Sequence, residues 1–224
     1  MVALMVALTI LGFLALDYFV LRHRRQADGA ADAALPGLVP VSRAIDTMPA
    51  GVFLQPTYTW SRVRKDGDLA VGVHPLLLGL VGTPFHFELL KNGEQVEKGA
   101  PFIRIEKNGR RLTVRSPVAG VISAVNEAPS GNTVWNGLDG RHGSWLYRIA
   151  PEHVAQEVPT WLIADQARDW TRRQYQMVKD HLLAAAGGGE VGVTMTDGGD
   201  LPIGILGSLD AAVWDAFQNR FLQG

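Results

Sequence analysis

Between Val52 and Ile149 the chain never sustains a helical period. Short β-rich runs are cut at close intervals by turn residues, which is the pattern of a compact antiparallel domain. The predicted strands are Tyr58–Lys65, Leu69–Val73, Pro84–Leu89, Phe102–Lys107, Arg110–Arg115, Gly120–Val125 and Ser144–Ile149, and Leu76–Leu80 reads as one helical turn. Lys65-Asp66-Gly67-Asp68, Lys91-Asn92-Gly93 and Asn108-Gly109 supply the turn chemistry. Asn108-Gly109 sits directly between two strand-like runs. Both central residues of a two-residue hairpin turn need φ > 0, and Asn-Gly meets that need best.

The β-region is preceded by a different kind of sequence. Val2 to Leu21 is apolar apart from Thr9, Asp17 and Tyr18. A run of about twenty residues rising 1.5 Å each covers a hydrocarbon layer of roughly 30 Å, so the run is predicted to span a membrane. Arg22, His23, Arg24 and Arg25 follow it and no charged side chain precedes it. That charge order is the reverse of a cleavable signal peptide, and the positive-inside rule puts the N-terminus outside and the remainder in the cytoplasm, on the inner membrane. Asp17 lies close to the basic flank, where a carboxylate pairs with Arg22 or lipid amines; the sharper reading is contact with another membrane subunit. Residues 23–50 are small, polar and dotted with Pro36, Pro40 and Pro49, and read as an extended linker.

After the β-region the period changes. From about Glu157 to Ala186, Trp161, Leu162, Ala164, Ala167, Trp170, Tyr175, Val178 and Leu182 recur at helical steps, with Pro159 at the entry and Gly187-Gly188-Gly189 at the exit. Val191–Met195 and Leu201–Leu206 around Asp197-Gly198-Gly199-Asp200 suggest a hairpin, and Ser208 is expected to cap a last helix carrying Val213, Trp214, Phe217 and Phe221 on one face. The organisation is thus a membrane helix (1–22), a linker (23–50), a β-domain (51–150) and a helical extension with a hairpin (151–224).

Composition narrows the chemistry. A net charge of -1 does not suit a nucleic-acid footprint. The absence of cysteine removes thiol nucleophiles, disulfides and cysteine-ligated clusters. None of the six histidines has metal-ligand spacing, and His86, alternating with Phe85 and Phe87, is expected to face away from the core. Asp197 and Asp200 read as turn formers. No catalytic or metal-binding set emerges. Trp161, Trp170, Trp214, Phe217 and Phe221, with Arg168, Arg172 and Arg173 among them, either pack on the β-domain or present a docking surface rich in the residue types of contact hot spots.

The β-region resembles the H protein of the glycine cleavage system, a relative of lipoyl and biotinyl carrier domains. The resemblance runs from Gln55 to Ile149 in ordered pieces. They are Tyr58-Thr59-Trp60, Val71-Gly72-Val73 with Leu80-Val81-Gly82, Phe87-Glu88-Leu89, Gly93 with Val96 and Gly99, Ser116-Pro117-Val118-Ala119-Gly120-Val121 with Val125-Asn126, and Asn136 with Gly143-Ser144-Trp145-Leu146. It implies a mainly β barrel-sandwich hybrid fold, here with an N-terminal membrane helix and C-terminal helices. In that family a lysine at a hairpin tip carries lipoate through an amide, in an E-S-x-K motif eight residues before the proline. Counting back from Pro117 reaches Gly109; Glu106 matches the family Glu and Lys107 stands in the Ser place. The resemblance therefore implies a fold kept and a carrier role lost. The leading expectation is a non-catalytic accessory subunit, binding no cofactor, whose partners are the lipid bilayer and other subunits of a respiratory or photosynthetic membrane complex. Alternatives are a tethered carrier lipoylated at Lys107 and a small ligand-binding or enzymatic module using a groove beside the helices.

Overall fold

The computed structural model describes residues 42, 48–126, 144–186 and 200–223. The chain divides into two compact units, 1–39 and 40–224, and every described residue lies in the second. The predicted span Val2–Leu21, with Asp17, Arg22, Arg24 and Arg25, lies outside the described residues, as does Val191–Met195. No helix among the described residues is long and apolar enough to cross a membrane.

The elements in order are β1 (Phe53–Gln55), β2 (Thr59–Val63), β3 (Leu69–Val73), α1 (Pro75–Val81), β4 (His86–Leu89), β5 (Gln95–Val96), β6 (Pro101–Lys107), β7 (Arg110–Arg115), β8 (Gly120–Val125), β9 (Tyr147–Pro151), α2 (Val154–Glu157), a 3-10 turn (Val158–Thr160), β10 (Leu162–Ile163), α3 (Ala164–Ala186), α4 (Ile205–Ser208) and α5 (Ala211–Phe221). The strands form a seven-stranded sheet, β10-β1-β2-β3-β9-β8-β5, and a three-stranded sheet, β4-β6-β7. Leu69, Val71, Ile103, Ile105, Leu112, Val114, Ile122 and Ile149 point between them and are fully buried. Their spacing of two along each strand is the pleat period, so one face of each sheet goes to the core.

Helix α1 plugs the core with every one of its residues buried. Its N-cap is His74, whose Nδ1 accepts the Leu76 N–H at 3.0 Å. The Nε2 lies 3.2 Å from Thr171 Oγ1, and Thr171 donates its own proton to the Ala167 carbonyl at 2.8 Å. That network assigns the proton to Nε2 and leaves the imidazole neutral. Burial drives the His74 pKa down to about 3. The same bond ties α3 to α1, and Tyr58 adds a second tie by donating its hydroxyl to Gln174 Oε1 at 2.7 Å.

Several sequence expectations shift. The strands Leu69–Val73, Arg110–Arg115 and Gly120–Val125 form as predicted, while the first predicted strand shortens to Thr59–Val63 because Tyr58 takes φ +58°. The short strands β1, β5 and β10 carry too little alternation to read. The long helix begins at Ala164, not near Glu157: Pro159 sits in the 3-10 turn, Trp161 folds inward ahead of the helix, and Leu162–Ile163 pairs with β1. Leu201–Leu206 is no strand. It makes isolated bridges at Asp200 and Pro202 and then turns into α4, because Gly204 takes φ +83° and packs against Gly82. Ser208 closes α4, and Asp210 holds the N-cap position of α5.

Candidate functional site

The β6–β7 hairpin holds Glu106, Lys107 and Gly109, the residues that the resemblance singles out. Lys107 pairs with Arg110 across a two-residue turn, and Asn108 and Gly109 take φ +52° and +74°. Both central residues are left-handed, the geometry that Asn-Gly predicts, and a type I′ turn of this kind continues the twist of its strands. The apex residue is glycine and has no side chain.

The nearest amine does not reach the apex. Along β6, Ile103 and Ile105 are fully buried, and Lys107 shares their parity, so its side chain starts toward the interior. Its Nζ donates to the carbonyls of Val81 and Gly82, each at 2.6 Å. These carbonyls end α1, where the helix macrodipole and unsatisfied C=O groups favour a cation. The side chain is part-buried, and desolvation lowers its pKa from the ordinary lysine value. Gly207 makes room for it: a Cβ there would come within 2.9 Å of Lys107 Cε.

The C-terminal segment closes over the same hairpin. Because Lys107 and Arg110 form the hydrogen-bonded pair beside the turn, the backbone groups of Arg111 and Thr113 point away from β6. Helix α5 meets both. Trp214 Nε1 donates to the Arg111 carbonyl at 2.8 Å, while Gln218 accepts the Thr113 N–H at 2.7 Å and donates to the Thr113 carbonyl at 3.2 Å. Gln218 thus imitates a neighbouring strand with one side-chain amide. Arg110 donates to the Leu209 carbonyl.

The remaining predicted residues fall into two groups. Trp161, Trp214 and Phe217 are buried at 5%, 2% and 0% exposure, so these rings pack on the chain itself. Trp170 is half-buried and stacks edge-on against Tyr58 and His74, and Phe221 is half-buried against Phe217. Arg172 is exposed and pairs with Asp169 at 3.6 Å. His86 is exposed, as its alternation predicts. Gln218, Gly207 and the Val81 and Gly82 carbonyls escape a reading of the sequence. The period of two that placed Ile103 and Ile105 inside was the available signal for Lys107.

The seven-stranded and three-stranded antiparallel sheets pack their apolar faces together as a β-sandwich. Residues 53–173, more than half of the chain, match the family model described as glycine cleavage H-protein. The chain belongs to that family. It is 25% identical over 122 residues to the probable glycine cleavage system H protein of Pyrococcus horikoshii, covering 54% of this chain and 90% of that one. It is 29% identical over 97 residues to the glycine cleavage system H protein of Legionella pneumophila, covering 43% of this chain and 77% of that one. The crystal structure of the Mycobacterium marinum H protein aligns with a TM-score of 0.39 at 22% identity, over 46% of this chain and 86% of that chain. The segment that covers the hairpin, α4 and α5, lies beyond the matched residues.

Proposed function

We propose that this chain is a non-catalytic accessory subunit that uses its H-protein-like domain as a docking module, tethered by its N-terminal apolar run to a larger membrane assembly of the respiratory or photosynthetic kind. The observation that carries this reading is the hairpin. A carrier of the lipoyl type needs a free amine projecting from the tip, and here Gly109 holds the tip while the Lys107 ammonium is spent on the Val81 and Gly82 carbonyls. The residues present do not fit a lipoyl amide. An acylated Nζ would lose its charge and two of its N–H donors, and its acyl chain would have to leave through the contact with Gly207. What remains is a sandwich with a covered hairpin and an exposed charged surface. The apolar run Val2–Leu21 and its basic flank support the tether.

Gentle detergent extraction from native membranes, with mass spectrometry of the intact chain and of whatever co-purifies, tests the reading. Other membrane subunits in stable association, with Lys107 unmodified, are expected. A lipoyl-sized increment on Lys107, or a chain that purifies without any other subunit, overturns it.

A further inference from the structure

The three-stranded sheet has a second edge, β4. In the β4–β6 register His86 faces Glu106 and Glu88 faces Arg104. The β6 groups turned toward β4 are those of Glu106 and Arg104, since Lys107, Ile105 and Ile103 spend theirs on β7. A third pair continues this register. The Tyr147 hydroxyl accepts the Leu90 N–H and donates to the Phe102 carbonyl, both at 2.7 Å, and so stands in for the next rung. The backbone N–H and C=O of Phe87 and Leu89 therefore point outward. Among the described residues nothing bonds to them. Phe85, Phe87 and Leu89 are half-buried on the inner side of this edge, and His86 and Glu88 are exposed on the outer side.

We infer that β4 pairs antiparallel with β4 of a second copy of this chain across a two-fold axis at Phe87, joining two three-stranded sheets into one. Outward backbone groups must meet outward groups, so only odd residues of the two strands can exchange hydrogen bonds. That leaves three central registers. Phe87 against Leu89 sets Glu88 against Glu88, two like charges directly opposed. Phe85 against Phe87 sets His86 against His86 and strands Leu89 without a partner. Phe87 against Phe87 sets each His86 opposite the Glu88 of the second copy, an imidazole donor beside a carboxylate on both sides of the axis, and lays Phe85 over Leu89. Only this register satisfies charge and apolar cover together, and opposed charges decide between registers in a sheet. The pairing is isologous, so it closes as a dimer and does not propagate. It also disposes of an exposed edge that would otherwise invite unspecific pairing.

The chain has no cysteine, which makes the test direct. Full-length His86→Cys and Glu88→Cys are prepared separately in detergent, then oxidised alone and as a mixture. Across the inferred interface these positions form a pair whose hydrogen bonds point away, with Cα atoms about 4.5 Å apart, within disulfide reach. A disulfide-linked dimer that appears only in the mixture is expected. Linked dimers from either variant alone, or none from the mixture, overturn the inference. Both side chains are exposed, and sedimentation equilibrium provides a second arm free of cysteine. Glu88→Lys is expected to weaken self-association roughly tenfold, and His86→Glu combined with Glu88→Lys to restore it. Equal association of all three chains overturns it.

Discussion

The two outer strands of the three-stranded sheet end in different surroundings. On β7, Trp214 and Gln218 occupy the outward groups of Arg111 and Thr113. On β4, the outward groups of Phe87 and Leu89 meet no described residue, and the outer face of the sheet carries the exposed ion pairs Arg104–Glu88 at 3.1 Å and Arg111–Glu106 at 3.6 Å. One edge has been covered from within the chain, by a segment beyond the family match. The other is left available. The contrast bears on the proposed loss of the carrier role. Under that proposal the arm is gone, but the strands beside the hairpin remain a pairing surface until something fills it. A glutamine amide and an indole N–H, placed one helical turn apart on α5, match the two-residue repeat of outward groups on β7.

That comparison can be broken at several points. The largest effect is expected from Trp214→Ala, which removes a fully packed ring and orphans the Arg111 carbonyl. A loss of about 3–5 kcal/mol in denaturant unfolding is expected. A loss no greater than that of a β4 surface change would mean that the cover on β7 is incidental.

Acid provides a test that involves neither edge. The His74 pKa lies at about 3 in the folded chain, against an ordinary value of 6.5, because burial disfavours the cation. The unfolded chain therefore takes up the proton first. The stability from a neutral His74 is fully present above about pH 6.5 and falls by about 1.4 kcal/mol per pH unit below it, down to the folded value. His74→Asn keeps an acceptor near the Leu76 N–H and cannot titrate, so the difference between its pH profile and that of the parent isolates this slope. Parallel profiles would refute the assigned neutral imidazole.

Lys107→Met keeps the stem and deletes the ammonium, leaving the Val81 and Gly82 carbonyls without their donor. The expected cost is about 1–3 kcal/mol, seen as a lower denaturation midpoint. A stability unchanged from the parent would mean that the lysine is free, and would reopen the carrier alternative. The smallest effects come as a pair. Gln218→Ala on the covered side is expected to cost about 1–2 kcal/mol, and Glu88→Ala on the open side less than about 0.5 kcal/mol in the monomer. Equal losses would erase the contrast between the edges.

Much of the β-domain was legible in the residues. The Asn108-Gly109 turn, the alternation along β7 and β8, and the ordered pieces shared with H proteins all rest on local chemistry that a linear reading can see. The family position of Gly109 was countable in the same way. The helical extension was harder. Its aromatic spacing marked α3 and α5, but the same Trp and Phe residues fit a buried packing face and an exposed docking face equally well. Only the position of the sheet beneath them places Trp161, Trp214 and Phe217 inside. Leu201–Leu206 looked like a strand because it is short and apolar, and such runs do not declare their period. The close approach of Gly204 to Gly82 turns it away.

The Asn-Gly turn, the alternating core of the sheets and each short piece of the family resemblance could be read along the chain, because each rests on residues within a few positions of one another. Tertiary structure alone decided the fate of Lys107. Its amine is consumed by carbonyls of residues 81 and 82, under a glycine at 207, and no local rule connects positions so far apart along the chain. The same holds for the edges. Which strand of a sheet is covered depends on where a distant helix comes to rest, and that is settled by the packing of Trp214 and Phe217 into a core that exists only once the sheets have met.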